Sequence, residues 1–190
     1  MANDSFTPEG MRNQMLRIMQ GSRGGVPEVV RDPNKLPPNI DPFNTIGAYT
    51  HNVAPFGRIF IAPTAGPATQ THELSHATNY DIAKLYYDAL DKKTPEARQF
   101  VDAFKKLSGN NAVVEQANKL APEWMKTESP YRTSSNELSA FAMGNMIGGS
   151  HGKEQPWRGG LHVDPTLATQ YSILMDLAEK YLTSVSSKGK

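Results

Sequence analysis

The sequence predicts an α+β fold that is mostly helical and contains a small sheet. Apolar residues recur at helical spacing in residues 68–90 and in the segment that begins at Asp164-Pro165. A capping residue precedes proline at Thr7-Pro8 and Thr94-Pro95, which is typical of helix starts. The best strand candidate is the apolar run 57–62, which lies between two prolines.

A chain of 190 residues is typical of one domain. We divide it into an N-terminal helix (1–21), a wrapping loop (22–56), a catalytic core (57–183) and a tail that should fray (184–190). The methionines of the N-terminal helix suggest that it docks loosely on the core. The loop holds six prolines but is expected to be ordered, because it carries apolar anchors: Val29, Val30, Leu36, Ile40, Phe43 and Ile46.

Four helices are predicted after residues 68–90. The first begins at Pro95 and ends at Gly109, and a short one covers 113–120. The third opens at Ser134 or Ser135 and stops before Gly148-Gly149, and the last follows Asp164-Pro165.

Composition and charge disfavour several classes of protein. The net charge of +1 argues against a nucleic-acid partner, and no apolar run is long enough to cross a membrane. The mean hydropathy of −0.53 is typical of a polar chain that can still fold. The N-terminal residues lack the features of a Sec signal peptide. With no cysteine, any metal must be held by histidine and carboxylate. We therefore expect a protein that is cytoplasmic, or that is delivered by a dedicated secretion or injection route.

The strongest motif is His72-Glu73-Leu74-Ser75-His76, an H-E-x-x-H run in the predicted helix 68–90. Residues four apart lie about 40° from each other around a helix, so both imidazoles project from one face. At that spacing both rings can reach one tetrahedral Zn²⁺ ion at about 2.0–2.1 Å. Glu73 then serves as the general base for a water at the metal. The plainer interpretation is a polar helix face with an ordinary solvated glutamate.

Hydrolytic zinc sites need a third protein ligand. The metzincin pattern is excluded, because Asn79 and Ile82 occupy its glycine and histidine positions. The segment Asn136-Glu137-Leu138-Ser139-Ala140 resembles the N-E-x-x-A segment on the second metal helix of the gluzincin family. The 61 positions between His76 and Glu137 exceed the separation in the thermolysin type.

The resemblance implies that His72, His76 and Glu137 bind Zn²⁺. Ser134 to Glu137 also fits a capping box, in which the glutamate bonds back to the helix start instead. Other candidates for the third ligand are Asp81, His151 and His162.

The chain thus resembles a compact gluzincin-type zinc metallopeptidase. The resemblance implies a zincin-like fold, in which an edge strand near Ile59 packs on the H-E-x-x-H helix and receives the backbone of a protein or peptide substrate. It further implies a zinc-dependent endopeptidase with Glu73 as general base. The small, cysteine-free chain is similar to the minimal zincin domains of bacterial effectors, toxins and phage proteins.

Zincins often place a donor opposite the water to stabilise the oxyanion. Candidates are Tyr171 and His162, which we favour, and Tyr131 and Arg132. Tyr171 equally fits a core position at helical spacing. His51 and His151 are more typical of surface residues, and Asn79 or Asp81 could hydrogen-bond a ligand histidine.

Three other functions compete with the endopeptidase. One is a zinc amidohydrolase acting on a non-protein substrate such as a peptidoglycan amide. Another is a degenerate zincin that serves as a binding or structural module, for instance in a virion. The last is a helical interaction protein whose H-E-x-x-H run arose by chance.

Overall fold

The computed structural model of the protein describes residues 8–36, 40–41, 45–53, 55–109, 140 and 165–187. These residues form four helices, α1 (Pro8–Arg23), α2 (Pro67–Ala89), α3 (Pro95–Gly109) and α4 (Pro165–Ser186), and three strands, β1 (Glu28–Val30), β2 (Gly47–Thr50) and β3 (Arg58–Ile61). A short 3-10 helix covers Pro33–Lys35. The α+β, mostly helical class is confirmed for this part of the chain. None of the four helices is long and apolar enough to cross a membrane.

The strands form one sheet in the order β1-β3-β2. β1 pairs parallel with β3, and β2 pairs antiparallel with it, so that Ala48 lies opposite Phe60. The strand near Ile59 is therefore central, and its prediction as the edge strand is wrong. Both of its partners come from residues 22–56, where the strands are too short for the sequence to reveal them.

Helix α2 follows β3 after only a short turn. Gly66 is its N-cap and Pro67 lies in its first turn, so it begins and ends within about one residue of the predicted bounds. The short connection packs α2 against both β2 and β3. Ile59 and Ile61 share the hydrophobic core with Ala77 and Ile82 of the helix. The H-E-x-x-H segment thus lies next to the sheet.

Helix α1 is buried between α2 and α4. Four of its side chains have 0% exposure: Met11, Met15, Ile18 and Met19. The expectation of loose docking is wrong. These positions form one apolar stripe at helical spacing, and methionine adapts its flexible side chain to fill a tightly packed core.

Helices α3 and α4 also pack against each other. The hydroxyl of Thr94 accepts a hydrogen bond from the backbone N–H of Ala97 at 3.2 Å, which confirms the predicted cap. The rings of Phe100 and Tyr181 stack with their centroids 5.8 Å apart. The predicted helices 113–120 and 134–148 lie outside the described residues, apart from Ala140, which is helical and buried.

Candidate functional site

The first two-thirds of α2 is unusually polar for a buried helix. Its buried polar side chains are Thr69, Thr71, Glu73, Ser75, Thr78 and Asp81. The hydroxyl of Ser75 donates to the carbonyl of Thr71 at 2.8 Å, and Thr78 bonds Leu74 in the same way at 2.9 Å. These bonds satisfy the hydroxyls within the helix. The carboxylates of Glu73 and Asp81 need other compensating contacts, because burying a charge costs free energy unless the charge is paired or hydrogen-bonded.

His72 and His76 lie together on one face of α2, as their spacing predicts. Their Nε2 atoms are 3.0 Å apart, and their rings meet edge to face with centroids 4.6 Å apart. Two ligands at about 2.05 Å from a tetrahedral ion are separated by roughly 3.3 Å. The nitrogens are therefore close to the separation that one zinc ion requires. The same distance suits an N–H···N hydrogen bond, in which one ring donates and the other accepts.

Glu73 is 6% exposed and lies against the first residue of β2. A Cβ placed on Gly47 would be 2.6 Å from Oε1 of Glu73 and 2.7 Å from Cγ2 of Thr69. Only glycine permits this approach, because real Cβ atoms do not come so close to another heavy atom. The carboxyl group of the H-E-x-x-H run is thus held directly beside a strand.

The register shows which side of β2 faces away from the sheet. The backbone N–H of Ala62 donates to the carbonyl of Ile46 at 2.9 Å. In an antiparallel ladder the hydrogen-bonded pairs alternate, so Ala48 bonds to β3. The N–H and C=O groups of Gly47 and Tyr49 therefore point outward, and we call them the outer edge of β2. Among the described strands none lies on that side.

Tyr171 lies in the hydrophobic core and is 2% exposed. Its hydroxyl donates to Oδ1 of Asn79, which follows His76 by one helical turn. Burial, and secondarily the charge of Asp81, raises the pKa of the phenol far above its ordinary value. This arrangement favours the core interpretation of Tyr171. Oxyanion stabilisation would require the hydroxyl to leave Asn79.

Asp81 is 1% exposed and is occupied by an arginine that the sequence did not single out. Nε of Arg23 is 2.9 Å from both carboxylate oxygens, and Nη2 is 2.6 Å from Oδ2. Burial raises the pKa of Asp81, although Arg23 acts in the opposite direction. The geometry favours a buried ion pair over a role for Asp81 as third metal ligand.

The remaining sequence candidates are His51 and several residues that the structure does not describe. His51 is exposed, as expected of a surface histidine, and stacks on Tyr80 with ring centroids 4.9 Å apart. Several sequence candidates lie outside the described residues: Glu137, His162, His151, Tyr131 and Arg132. Within the described ranges no three histidine or acidic side chains form a group that could hold a metal. Glu137 as third ligand stays a prediction.

Comparison with protein-family models, with curated proteins and with solved structures finds no match to this chain. Sequence reasoning missed Gly47, Tyr49 and Arg23. Tyr49 and Thr50 are residue types that favour strands, which was a weak signal for β2. Nothing in the sequence pairs Arg23 with Asp81, because that contact joins residues 58 positions apart.

Proposed function

We propose that the chain is a zinc-dependent endopeptidase of the compact gluzincin type. The observation that carries this proposal is the pair of Nε2 atoms of His72 and His76, which lie 3.0 Å apart on the helix that also buries Glu73 beside β2. A chance H-E-x-x-H run on a solvated helix face would leave the glutamate exposed. Here its side chain is held between a helix and a strand.

The donor set fits zinc. Two imidazole nitrogens at this separation are borderline ligands that suit zinc, and the cysteine-free chain adds carboxylate as the natural third donor. His72, His76 and Glu137 would hold the ion. Zinc bound there would polarise the attacking water and the scissile carbonyl.

Glu73 acts first as the general base and then as the general acid. Its carboxylate accepts the proton of the attacking water and transfers it to the nitrogen of the leaving amine. The narrow space beside Gly47 limits where the side chain can move. A base that is already confined loses little entropy when it reaches the productive orientation.

The outer edge of β2 supports a peptide as substrate. An extended peptide could pair with the N–H and C=O groups of Gly47 and Tyr49, as peptides do at other exposed sheet edges. Because Gly47 lies against Glu73, the paired backbone would pass next to the general base. A substrate that lacks a run of backbone N–H and C=O groups cannot pair with the strand in this way. This feature favours the endopeptidase over the non-protein amidohydrolase.

The test combines metal analysis with cleavage. We expect one zinc per chain in the wild type, and loss of zinc in His72→Ala and in Glu137→Ala. Glu73→Gln should keep the zinc but lower the rate of cleavage of an unstructured protein substrate by about 10²–10⁴-fold, because the base is gone. Asp88→Asn, an exposed acid on the same helix, is the matched control.

Two results would refute the proposal. One is a wild type that binds no zinc in excess metal, which would favour a degenerate binding module. The other is cleavage that survives Glu73→Gln in a preparation free of wild-type enzyme, since another group would then be the base.

A further inference from the structure

The guanidinium of Arg23 is almost enclosed, with 11% of the side chain exposed. Nε and one N–H of Nη2 bond Asp81, at 2.9 and 2.6 Å. The other N–H of Nη2 bonds the carbonyl of Ala77 at 2.9 Å. Nη1 bonds the hydroxyl of Tyr49 at 3.0 Å and the carbonyl of Phe56 at 2.5 Å. All five N–H donors of the side chain are therefore used.

The five bonds join two parts of the molecule. Ala77 and Asp81 belong to α2, and Ala77 directly follows His76. Tyr49 belongs to β2, and Phe56 lies just before β3. Arg23, at the end of α1, bridges the histidine helix and the strand whose outer edge includes Tyr49.

The aromatic neighbours make the bridge more rigid. Cζ of Arg23 is 6.0 Å from the centroid of the Tyr49 ring and 5.7 Å from that of Tyr80. A planar guanidinium with five fixed bonds and two rings around it has a single well-defined orientation. A buried ion pair often stabilises a fold no more than apolar side chains of the same volume would. Its stronger effect here is on geometry.

We propose that Arg23 is a positioning residue that fixes the outer edge of β2 over α2, so that a peptide paired with β2 meets Glu73. This inference rests on the proposed endopeptidase function for its consequence in catalysis. Whether Arg23 holds β2 in place can be measured even in a protein that cleaves no peptide.

The decisive variant is the double substitution Arg23→Met with Asp81→Leu. It removes both charges together and fills their space with apolar atoms, so the core keeps its volume while β2 loses its bonds to the guanidinium. Arg17→Met is the matched control, because Arg17 lies on the same helix and pairs with Glu179 at the surface. Tyr49→Phe is a milder variant that removes only the hydroxyl acceptor and keeps the ring.

Amide hydrogen exchange reports how often the hydrogen bonds between β2 and β3 open. In the double variant we expect exchange at Ala48, the β2 residue whose amide bonds β3, to become about tenfold faster, while the amides of α4 keep their rates. In an active enzyme KM for an extended peptide should rise about tenfold with a smaller change in kcat, and zinc affinity should stay within about twofold. Tyr49→Phe should shift exchange and KM in the same direction by about threefold.

Unchanged exchange in β2, or unchanged KM in an active enzyme, overturns the proposal. If the double variant does not fold, Tyr49→Phe decides by the same two measurements. A wild type without peptidase activity refutes the proposed function instead, and exchange in β2 still shows whether Arg23 holds the strand.

Discussion

Helix α1 carries two arginines that form ion pairs in opposite surroundings. Arg17 pairs with Glu179 of α4, and the two side chains are 57% and 29% exposed. Arg23 pairs with Asp81 of α2, and here the values are 11% and 1%. The first pair lies in water, where it gains little. The second is enclosed, so that losing either partner leaves a charge in a medium of low dielectric.

This difference extends to the surroundings of the two pairs. The surface around Arg17 is an open polar groove between α1, α3 and α4. The surroundings of Arg23 hold the histidine helix, β2 and the buried glutamate. The exposed Arg17 side chain can be replaced at little cost, whereas the polar groups around Arg23 are fixed by one another. Changes on the two sides should therefore differ in size.

The largest loss of stability is expected for Arg23→Met alone. It leaves the Asp81 carboxylate buried without its cation, which typically costs about 3–5 kcal/mol. Urea unfolding of the variant beside wild type measures the difference. A loss below about 1 kcal/mol would show that Asp81 reaches water or another cation easily.

Gly47→Ala should come next. Its Cβ would be 2.6 Å from Oε1 of Glu73, so either β2 or the glutamate must move. We expect a loss of about 1–3 kcal/mol in the free energy of unfolding, and a fall in peptide cleavage. Gly21→Ala is the control, because its Cβ meets only the flexible end of Leu182 at 3.2 Å. Equal effects of the two substitutions would mean that the space beside Glu73 is not confined.

A smaller effect is expected from pH. Burial raises the pKa of Asp81 in the folded state above its ordinary value of 3.8. The folded state therefore holds this proton more tightly than the unfolded state, and the contribution of Asp81 to stability is largest below pH 3.8. It decreases as the pH rises through the folded pKa. Relative to Asp81→Asn, the wild type should become less stable as the pH rises through this window, as urea unfolding at several pH values would show. The opposite slope would mean that Arg23 outweighs burial.

The smallest effect is expected for Arg17→Met. Exposed ion pairs contribute about 0–1 kcal/mol, and salt screens them. The free energy of unfolding of the variant should differ from that of the wild type by no more than this amount, in both low and high salt. A loss as large as that of Arg23→Met would remove the distinction between the two pairs.

Much of the local structure could be predicted from the sequence. Residues 68–90 and the segment from Pro95 to Gly109 are helices almost at the expected bounds, and the strand 57–62 is β3. The H-E-x-x-H spacing placed His72 and His76 on one face, because helical geometry alone decides it. Glu137 and His162 lie outside the described part of the chain, so their roles stay predictions.

Less could be predicted wherever distant segments meet. The resemblance implies that the strand near Ile59 is an edge, yet β1 and β2 flank it on both sides. Strand pairing depends on which segments the fold brings together, and short strands leave weak patterns. The methionines of α1 suggested loose docking, but their burial depends on α2 and α4 lying on either side.

The four described helices and the histidine pair could be predicted from the sequence alone, because capping, apolar periodicity and the 3.6-residue turn act between residues a few positions apart. Three features depend on tertiary packing: Glu73 lies beside Gly47, β2 has the outer edge, and Arg23 pairs with Asp81. These contacts join segments tens of residues apart, and only the packing of the whole core selects them.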